Sequence, residues 1–273
     1  MEINKVYQGD CMLLLDELEA NSVDCIITDP PYSTPVITGF GRKQFKNVAD
    51  LSLQEQYIRT FKEKLERVLK PNAPVFIFCN DSYFPSIFRA FYDWKCLQMV
   101  IWDKGKIGMG KPFRKQHEII LYANRESFEY YRDGITFSTV MKYKQVQTQD
   151  RLHPAEKPLD LIKDLLKGFT KDGDLVLDTF MGSGVVALGC EQLKRNWVGF
   201  ELNPDFVSLI NKRIGSKLSG FIRTSPDGDF SNEKEHNISL KESSEEDSQI
   251  SSNDETSLNN NIKLNLAFCL PTL

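Results

Sequence analysis

The chain is poor in the side chains that build metal sites and disulfide frameworks. Among its 273 residues are six cysteines, with no Cys-x-x-Cys pair, and only three histidines. This spacing predicts neither a disulfide framework nor a zinc site, and we expect no bound metal. Several cysteines fall in apolar, strand-like stretches, where a thiol behaves as a small hydrophobic group.

Long apolar runs are missing as well. No apolar stretch approaches the ~20 residues that a helix needs to cross a bilayer. The segment Met1–Lys5 also lacks the apolar core of a secretion signal. We therefore expect a cytoplasmic protein without a membrane partner.

The last part of the chain has few apolar residues. From Thr224 onward Ser, Asn, Glu and Asp dominate, and this stretch holds 10 acidic but only 3 basic residues. Such a composition cannot bury enough apolar surface to offset the loss of chain entropy, so residues 224–273 are predicted to form a disordered acidic tail. Because the whole chain has a net charge of −4, residues 1–223 carry +3.

Residues 1–223 alternate between strand patterns and helix patterns. Short, evenly apolar runs that are typical of buried strands lie at 23–28, 74–79, 97–102, 117–123, 174–178 and 196–201. Apolar residues at helical spacing run from Leu53 to Leu69 and again behind Pro158. This alternation predicts an α/β fold whose mostly parallel sheet has helices on both faces. The polar, aromatic and basic stretch 124–152 interrupts it and is predicted to be an insertion.

A loop directly after the run 23–28 combines a carboxylate, two prolines and a phenol ring in the sequence Asp29-Pro30-Pro31-Tyr32. Proline fixes φ and has no N–H group, so this loop can join neither a helix nor a sheet, and its carbonyl oxygens can accept hydrogen bonds. A stiff loop rich in acceptors suits a substrate with an amino group. An Asp-Pro turn that simply ends a strand is the alternative.

A glycine-containing turn follows the run 174–178. It reads Asp178-Thr179-Phe180-Met181-Gly182-Ser183-Gly184. Its two glycines allow the backbone to approach a ligand, and the helix predicted behind them offers N–H groups to a carboxylate or phosphate. The third glycine of the dinucleotide fingerprint is missing. The next strand ends at Glu201, whose carboxylate can accept both hydroxyls of a ribose.

Together these loops resemble one family, the amino-methyltransferases that transfer a methyl group from S-adenosylmethionine to an exocyclic nitrogen of adenine or cytosine in DNA. The family's Pro-Pro-Tyr loop and Phe-x-Gly-x-Gly loop correspond to residues 29–32 and 180–184, and its His-Pro-x-x-Lys-Pro element to 153–158. Three loops in the expected order at strand–helix junctions are far less probable by chance than any one of them. The permuted order, with the catalytic loop first, resembles the beta class.

The resemblance covers about residues 5–215 and implies a Rossmann-like methyltransferase fold with circularly permuted motifs and S-adenosylmethionine as cofactor. The catalytic residues that it implies are Asp29, Pro30, Pro31 and Tyr32. The implied cofactor-binding residues are Asp10, Cys11, Lys157, Asp178, Phe180, Gly182, Ser183, Gly184, Glu201 and Asn203. Substrate binding is implied for Tyr32, Phe113, Arg114 and His117. Asp10, behind the strand-like stretch 4–8, also reads as the N-cap of a helix beginning at Met12, and Asn203 as the N-cap of a helix beginning at Pro204.

The implied substrate is double-stranded DNA with the target base flipped out of the helix. Tyr32 would stack on this base, while the Asp29 carboxylate and the Pro30 carbonyl would accept its amino hydrogens during a direct in-line transfer. Asp-Pro-Pro-Tyr leans to the N6 of adenine within the family, and the N4 of cytosine is the alternative. An alternative from another class is a Rossmann-type nucleotide-binding oxidoreductase.

Contacts with DNA are expected from basic residues that have glycine and aromatic neighbours around 104–115. Recognition of the DNA sequence is expected in the loop 33–50 and in the insertion at about 124–152. Because this insertion is short, it indicates a brief target site, a second subunit in a homodimer, or a partner protein. A restriction endonuclease system is a further candidate partner, and an orphan or phage role is the alternative.

Overall fold

One mixed sheet forms the framework of the computed structural model, which describes residues 1–31, 48–109, 112–126, 137–147, 149, 151–153 and 155–221. Its strands within these residues are β1 (Lys5–Gln8), β2 (Cys25–Thr28), β3 (Val75–Cys79), β4 (Cys96–Asp103), β5 (His117–Asn124), β6 (Val140–Lys142), β7 (Leu175–Asp178) and β8 (Asn196–Glu201). The helices are α1 (Cys11–Glu17), α2 (Val48–Val68), α3 (Phe84–Ala90), α4 (Leu159–Phe169), α5 (Val185–Gln192) and α6 (Pro204–Phe221).

The strands lie in the order β1-β8-β7-β2-β3-β5-β4-β6. Neighbours run parallel except around β5, which is antiparallel to both β3 and β4. The predicted mostly parallel sheet is therefore confirmed. Cys79 at the end of β3 pairs with Ile119 near the start of β5. The described residues of the β4–β5 connection, 104–109 and 112–116, consequently lie at the sheet edge where β2 and β3 end.

Helices cover both faces because successive strand residues point to opposite sides of the sheet. On one face Ile26 and Leu177 belong to a buried cluster with residues of α1, α2 and α3. On the other face Ile27 and Val176 belong to a second cluster, with residues of α4, α5 and α6. Burial of both faces explains why the strands are evenly apolar in sequence.

The central strands β2 and β7 are parallel neighbours, but the helices that follow them lie on opposite faces. Helix α2 after β2 packs into the first cluster, whereas α5 after β7 packs into the second. The chain thus leaves the two strand ends in opposite directions and opens a crevice between them, which is where open α/β sheets bind ligands. Asp29 and Asp178 stand at these two strand ends.

Two short elements escaped prediction from sequence, the seven-residue helix α3 and the three-residue strand β6. Strand β6 lies within the stretch 124–152 and pairs in parallel with the end of β4. Its position therefore depends on a partner strand rather than on a local apolar pattern. The predicted helix start at Asn203 is confirmed, since its Oδ1 accepts a hydrogen bond of 2.9 Å from the Asp205 amide.

Several predictions fall outside the described residues, namely those for Tyr32, for most of the loop 33–50 and for the tail 224–273. The described residues belong to one compact unit, Met1–Thr224. The division into a methyltransferase domain, an insertion and a tail stays a prediction. None of the helices within the described ranges is long and apolar enough to cross a membrane.

Packing between β8 and the turn after β7 provides a test of this framework. A Cβ on Gly199 would lie 2.0 Å from Sδ and 2.5 Å from Cγ of the buried Met181. Because Met181 would have to move, we expect Gly199→Ala to destabilise the fold by about 1–3 kcal/mol, as overpacked cores do. Urea unfolding measures this difference.

Gly215→Ala in α6 is the matched control, because a Cβ at that position would meet no atom within 4 Å among the described residues, apart from the adjoining backbone of its own helix. Alanine also has the higher helix propensity, so this variant should be as stable as the wild type or more stable. An unchanged unfolding free energy for Gly199→Ala would contradict the packing described here.

Candidate active site

A cavity of about 440 Å³ occupies the crevice beyond β2 and β7. The residues predicted from sequence that line it are Asp10, Cys11, Asp29, Pro30, Pro31, Lys157, Asp178, Phe180, Gly182, Ser183 and Glu201. Segments from both ends of the chain therefore meet in one cavity. Among lining residues that the sequence analysis did not select are Thr28, Tyr57, Phe78, Glu156 and Thr179.

Three of the four predicted substrate-binding residues lie elsewhere. Phe113, Arg114 and His117 belong to the β4–β5 connection and the start of β5, where they are exposed, and none of the three lines this cavity. Their assignment to substrate binding stays a prediction. Tyr32 lies outside the described residues.

The start of α1 forms one rim of the cavity. Asp10 caps this helix, because its Oδ1 accepts a hydrogen bond of 2.8 Å from the Met12 amide. The N-cap that the sequence predicts is thus confirmed, and Asp10 still lines the cavity. Cys11 is buried, with its Sγ 3.8 Å from Oη of Tyr57.

Backbone conformation explains the glycines of the turn after β7. Gly182 and Gly184 have φ values of +49° and +72°, in the left-handed region that side chains disfavour. A Cβ on Gly184 would also lie only 3.0 Å from Cγ1 of Ile210 in α6. Gly184 is the N-cap residue of α5, so the start of that helix lies beside the cavity.

Glu201 at the end of β8 is held by two backbone amides. The Gly182 amide donates to Oε2 at 2.8 Å, and the Asn203 amide donates to Oε1 at 2.9 Å. Carboxylate oxygens can each accept a further hydrogen bond. Glu201 is therefore oriented in advance as an acceptor for a ligand with two hydroxyl groups.

Asp178 is a buried acid at the end of β7. Burial raises its pKa to about 7, and the charges of Asp29 and Glu201 add to this effect. The Phe180 amide, which donates to Oδ1 at 3.1 Å, acts in the opposite direction. Near neutral pH this side chain exchanges between neutral and ionised forms, and a cationic ligand would favour the ionised one.

Asp29 forms a salt bridge with Lys157, which is only 5 % exposed. The Nζ of Lys157 also donates to the Ala155 carbonyl at 3.2 Å and lies 3.3 Å from Oε2 of Glu118. The contact with Glu118 is an ion pair without good hydrogen-bond geometry. Glu118 pairs in turn with Lys104 at 2.6 Å. Four side chains thus form a row of alternating charge that ends at Asp29.

A second ion pair connects Glu156 to the glycine-containing turn after β7 through Arg213. Glu156 is buried, accepts a hydrogen bond of 2.8 Å from the Leu152 amide and pairs with Nη1 of Arg213 at 2.8 Å. The same Nη1 donates to the Ser183 carbonyl at 2.8 Å. Arg213 belongs to none of the sequence motifs, so no sequence signal marks it.

These features fit S-adenosylmethionine. Glu201 could accept hydrogen bonds from ribose hydroxyls, and Asp178 could place a negative charge beside an ammonium or sulfonium group. Phe180 and Tyr57 could supply apolar surface for a purine ring. The fold and the site together therefore define an α/β transferase that uses an adenosyl ligand.

Comparison with known proteins identifies the family. Residues 23–212 match the family model N6_N4_Mtase, described as DNA methylase. Since the match spans more than half of the chain, the protein belongs to this family. It is an S-adenosylmethionine-dependent DNA methyltransferase of the N6/N4 amino group type.

Two relatives are type II methyltransferases. M.HpaI of Haemophilus parainfluenzae is 28 % identical over 240 residues, which cover 76 % of this chain and 73 % of the relative. M.BglII of Bacillus subtilis is 28 % identical over 253 residues, covering 76 % and 68 %.

Solved structures show the same fold. The M1.HpyAVI complex with S-adenosylmethionine is 22 % identical with a TM-score of 0.58, and the match covers 77 % of this chain and 98 % of that structure. TTHA0409 of Thermus thermophilus, named a putative DNA modification methylase and also complexed with S-adenosylmethionine, is 20 % identical with a TM-score of 0.62, covering 80 % and 95 %. The cytosine-N4-specific PvuII DNA methyltransferase is 17 % identical with a TM-score of 0.63, covering 76 % and 85 %.

The pKa of Asp178 predicts how cofactor binding depends on pH. Above pH 7 the side chain is ionised and attracts the cationic groups of the cofactor, whereas below pH 7 it is neutral. We expect affinity for S-adenosylmethionine to fall between pH 8 and pH 6, by at most about tenfold for each unit below the pKa. Isothermal titration calorimetry at several pH values measures this change.

Asp178→Asn is the control for this pH dependence. The amide cannot ionise, so this variant should bind the cofactor weakly, with much less change between pH 6 and 8. A wild-type affinity that stays constant across the same range would contradict the role given to Asp178.

Proposed function

We propose that this chain is a site-specific methyltransferase that modifies the N6 amino group of adenine in double-stranded DNA. The observation that carries this proposal is the position of Asp29. Its carboxylate stands at the end of β2, lines the same cavity as Asp178 and Glu201, and is held by Lys157. The cavity thus joins an acceptor for an amino group to the binding site of the methyl donor.

The chemistry follows from the weak nucleophilicity of the substrate. The lone pair of an adenine amino group is delocalised into the ring, so it must be drawn out before it can attack a methyl group. The Asp29 carboxylate and the Pro30 carbonyl accept the two amino hydrogens and favour a tetrahedral nitrogen. Pro31 limits the movement of these acceptors. S-adenosylmethionine, when bound, supplies an electrophilic methyl group.

The target base has to leave the duplex to reach this cavity. A paired base hides its amino group, so we propose that the nucleotide rotates outward, at a cost of a few kcal/mol for unstacking. Tyr32, next in sequence to the lining residue Pro31, is the proposed stacking partner of the flipped base.

The β4–β5 connection is the proposed DNA-facing surface. Segment 104–116 contains five basic and no acidic residues, and its described residues lie at the sheet edge that carries Asp29. Its side chains Phe113 and Met109 are 88 % and 84 % exposed. Basic groups bind phosphates, and exposed apolar groups can enter a base stack. Phe113 and Arg114 are therefore proposed to contact the duplex outside the cavity.

We propose adenine rather than cytosine as the target base because the catalytic loop begins with Asp29. Within the family, Asp-Pro-Pro-Tyr loops are associated with adenine more than with cytosine. The competing substrate is the N4 of cytosine, which also presents an amino group conjugated to its ring. The type II relatives support a restriction endonuclease as the companion of this enzyme. A homodimer remains a prediction.

Replacing Asp29 tests the proposed chemistry. We expect Asp29→Ala to lower the rate of methyl transfer at least about 100-fold, as loss of a transition-state hydrogen-bonding group does. Cofactor binding should persist, because Asp178 and Glu201 remain. The fold should also persist, since Lys157 keeps its contacts with Glu118 and Ala155. Transfer of a labelled methyl group to DNA and calorimetric titration of the cofactor measure the two effects.

Mass spectrometry of the hydrolysed product DNA identifies the modified base, and we expect N6-methyladenine. Detection of N4-methylcytosine instead would identify cytosine as the target base and would leave the role of Asp29 intact. Unimpaired methylation by Asp29→Ala would overturn that role. Single-molecule sequencing of DNA from cells that express the chain would identify the target sequence.

Phe113→Ala tests the DNA-facing surface. Loss of one stacking aromatic typically costs about 1–3 kcal/mol, so we expect roughly tenfold weaker binding of a duplex that contains the target sequence. Tyr92→Ala is the control. Tyr92 is also an exposed aromatic residue, at 77 %, but it precedes the start of β4 and so lies at the end of the sheet away from Asp29. Fluorescence anisotropy compares the two variants, and equal affinities for both would contradict the proposed surface.

A further inference from the structure

A buried lysine lies where three parts of the fold meet, one of which carries the proposed catalytic carboxylate. Lys157 precedes α4, Asp29 follows β2, and Glu118 lies at the start of β5. An ammonium group has three hydrogens to donate. Around Nζ of Lys157 lie three acceptors, namely the Asp29 carboxylate, the Ala155 carbonyl at 3.2 Å and Oε2 of Glu118 at 3.3 Å. Two of them accept hydrogen bonds from Nζ, and Glu118 adds an ion pair.

Burial of this lysine makes its charge depend on its partners. An isolated buried ammonium is strongly disfavoured, whereas a paired one is tolerated. Burial lowers the pKa of Lys157, but the carboxylates of Asp29 and Glu118 outweigh this effect, and the pKa is raised. The Phe78 ring, 5.1 Å from Nζ, adds a cation–π contact. Lys157 therefore stays charged and attracts both carboxylates.

Glu118 is itself held in place. Its Oε1 pairs with Lys104 at 2.6 Å, while its Oε2 faces Lys157. The pairing leaves Glu118 ionised, and its pKa is lowered because the two lysines outweigh the opposing effect of burial. Glu118 thus holds the Lys157 ammonium through an ion pair that does not involve Asp29.

We propose that Lys157, anchored by Glu118, is a positioning residue that fixes the orientation and the charge of the Asp29 carboxylate for methyl transfer. The proposal rests on the proposed function, because it requires Asp29 to act on the substrate amino group. It differs from the role in cofactor binding that the family resemblance implies for Lys157.

A purely structural role is the competing explanation. In that case Lys157 would only neutralise two partly buried carboxylates, and any change that restores charge balance would restore activity. The double variant Lys157→Met/Glu118→Gln removes one cation and one anion together. It therefore separates charge balance from the positioning of Asp29.

The experiment measures single-turnover methyl transfer by the full-length chain with saturating S-adenosylmethionine and DNA. We expect Lys157→Met and the double variant to react about 100-fold more slowly than wild type, the scale of effect expected for a misplaced catalytic group. Calorimetry should show that both variants retain cofactor affinity. Lys62→Met is the matched control, since Lys62 is buried and paired with Glu66 and Asp93 but does not line the cavity.

The pH dependence of the rate supplies a second measurement. The charge of Asp29 contributes to the pKa shifts of four neighbouring groups, namely Cys79, His153, Lys157 and Asp178. In Lys157→Met the loss of the cation makes ionisation of Asp29 less favourable. The acidic limb of the plot of transfer rate against pH should therefore move to higher pH. Glu118→Gln removes a nearby anion, so the limb should move to lower pH.

The outcomes distinguish this proposal from the one on which it rests. Wild-type protein that methylates no DNA would overturn the proposed function and the positioning role together. Recovery of the wild-type rate in the double variant, with an active wild type, would overturn the positioning role alone. If Lys157→Met does not fold, Glu118→Gln decides, and an unchanged acidic limb in that variant contradicts the proposal.

Discussion

Parallel pairing between β2 and β7 is the constraint on which the site depends. These strands come from distant parts of the chain, yet their pairing brings Asp29 and Asp178 to the same edge of the sheet. The helices after them lie on opposite faces, so no described chain segment fills the space between the two strand ends. Packing of α2 and α5 into separate cores therefore creates the cavity that a transferase needs, independent of the order in which the strands occur along the chain.

Five carboxylates line this cavity. The fold accommodates three of them, Asp29, Asp178 and Glu201, in different ways. Asp29 is paired with a buried lysine, and Glu201 accepts hydrogen bonds from two backbone amides. Asp178 has neither a cation nor a second amide among its described contacts, and its pKa rises to about 7. The result is a site with a negative field, which suits a cationic methyl donor. The described basic residues of the β4–β5 connection do not line the cavity, namely Lys104, Lys106, Arg114 and Lys115.

The same arrangement separates two tasks within one cavity. The turn around Gly182 and Gly184 has a left-handed backbone, which glycine adopts readily. Hydrogen bonds from the Gly182 amide to Glu201 and from Arg213 to the Ser183 carbonyl stabilise it. The Asp29 loop is stabilised by prolines and by Lys157. Substitutions in one set are expected to affect cofactor affinity, and those in the other to affect the rate of transfer, because few contacts are shared between them.

Local patterns determined much of this protein. Strand-like stretches in the sequence identified seven of the described strands, because strands, caps and turns depend on neighbours in sequence. The short motifs located two of the loops that line the cavity. The pairing of Asp29 with Lys157, 128 residues apart, and the anchoring role of Glu118 depended on the tertiary structure. So did the placement of Phe113 outside the cavity and the buried state of Asp178. Burial and charge pairing are set by which elements pack together, and that information is spread over the whole fold rather than contained in any segment of the chain.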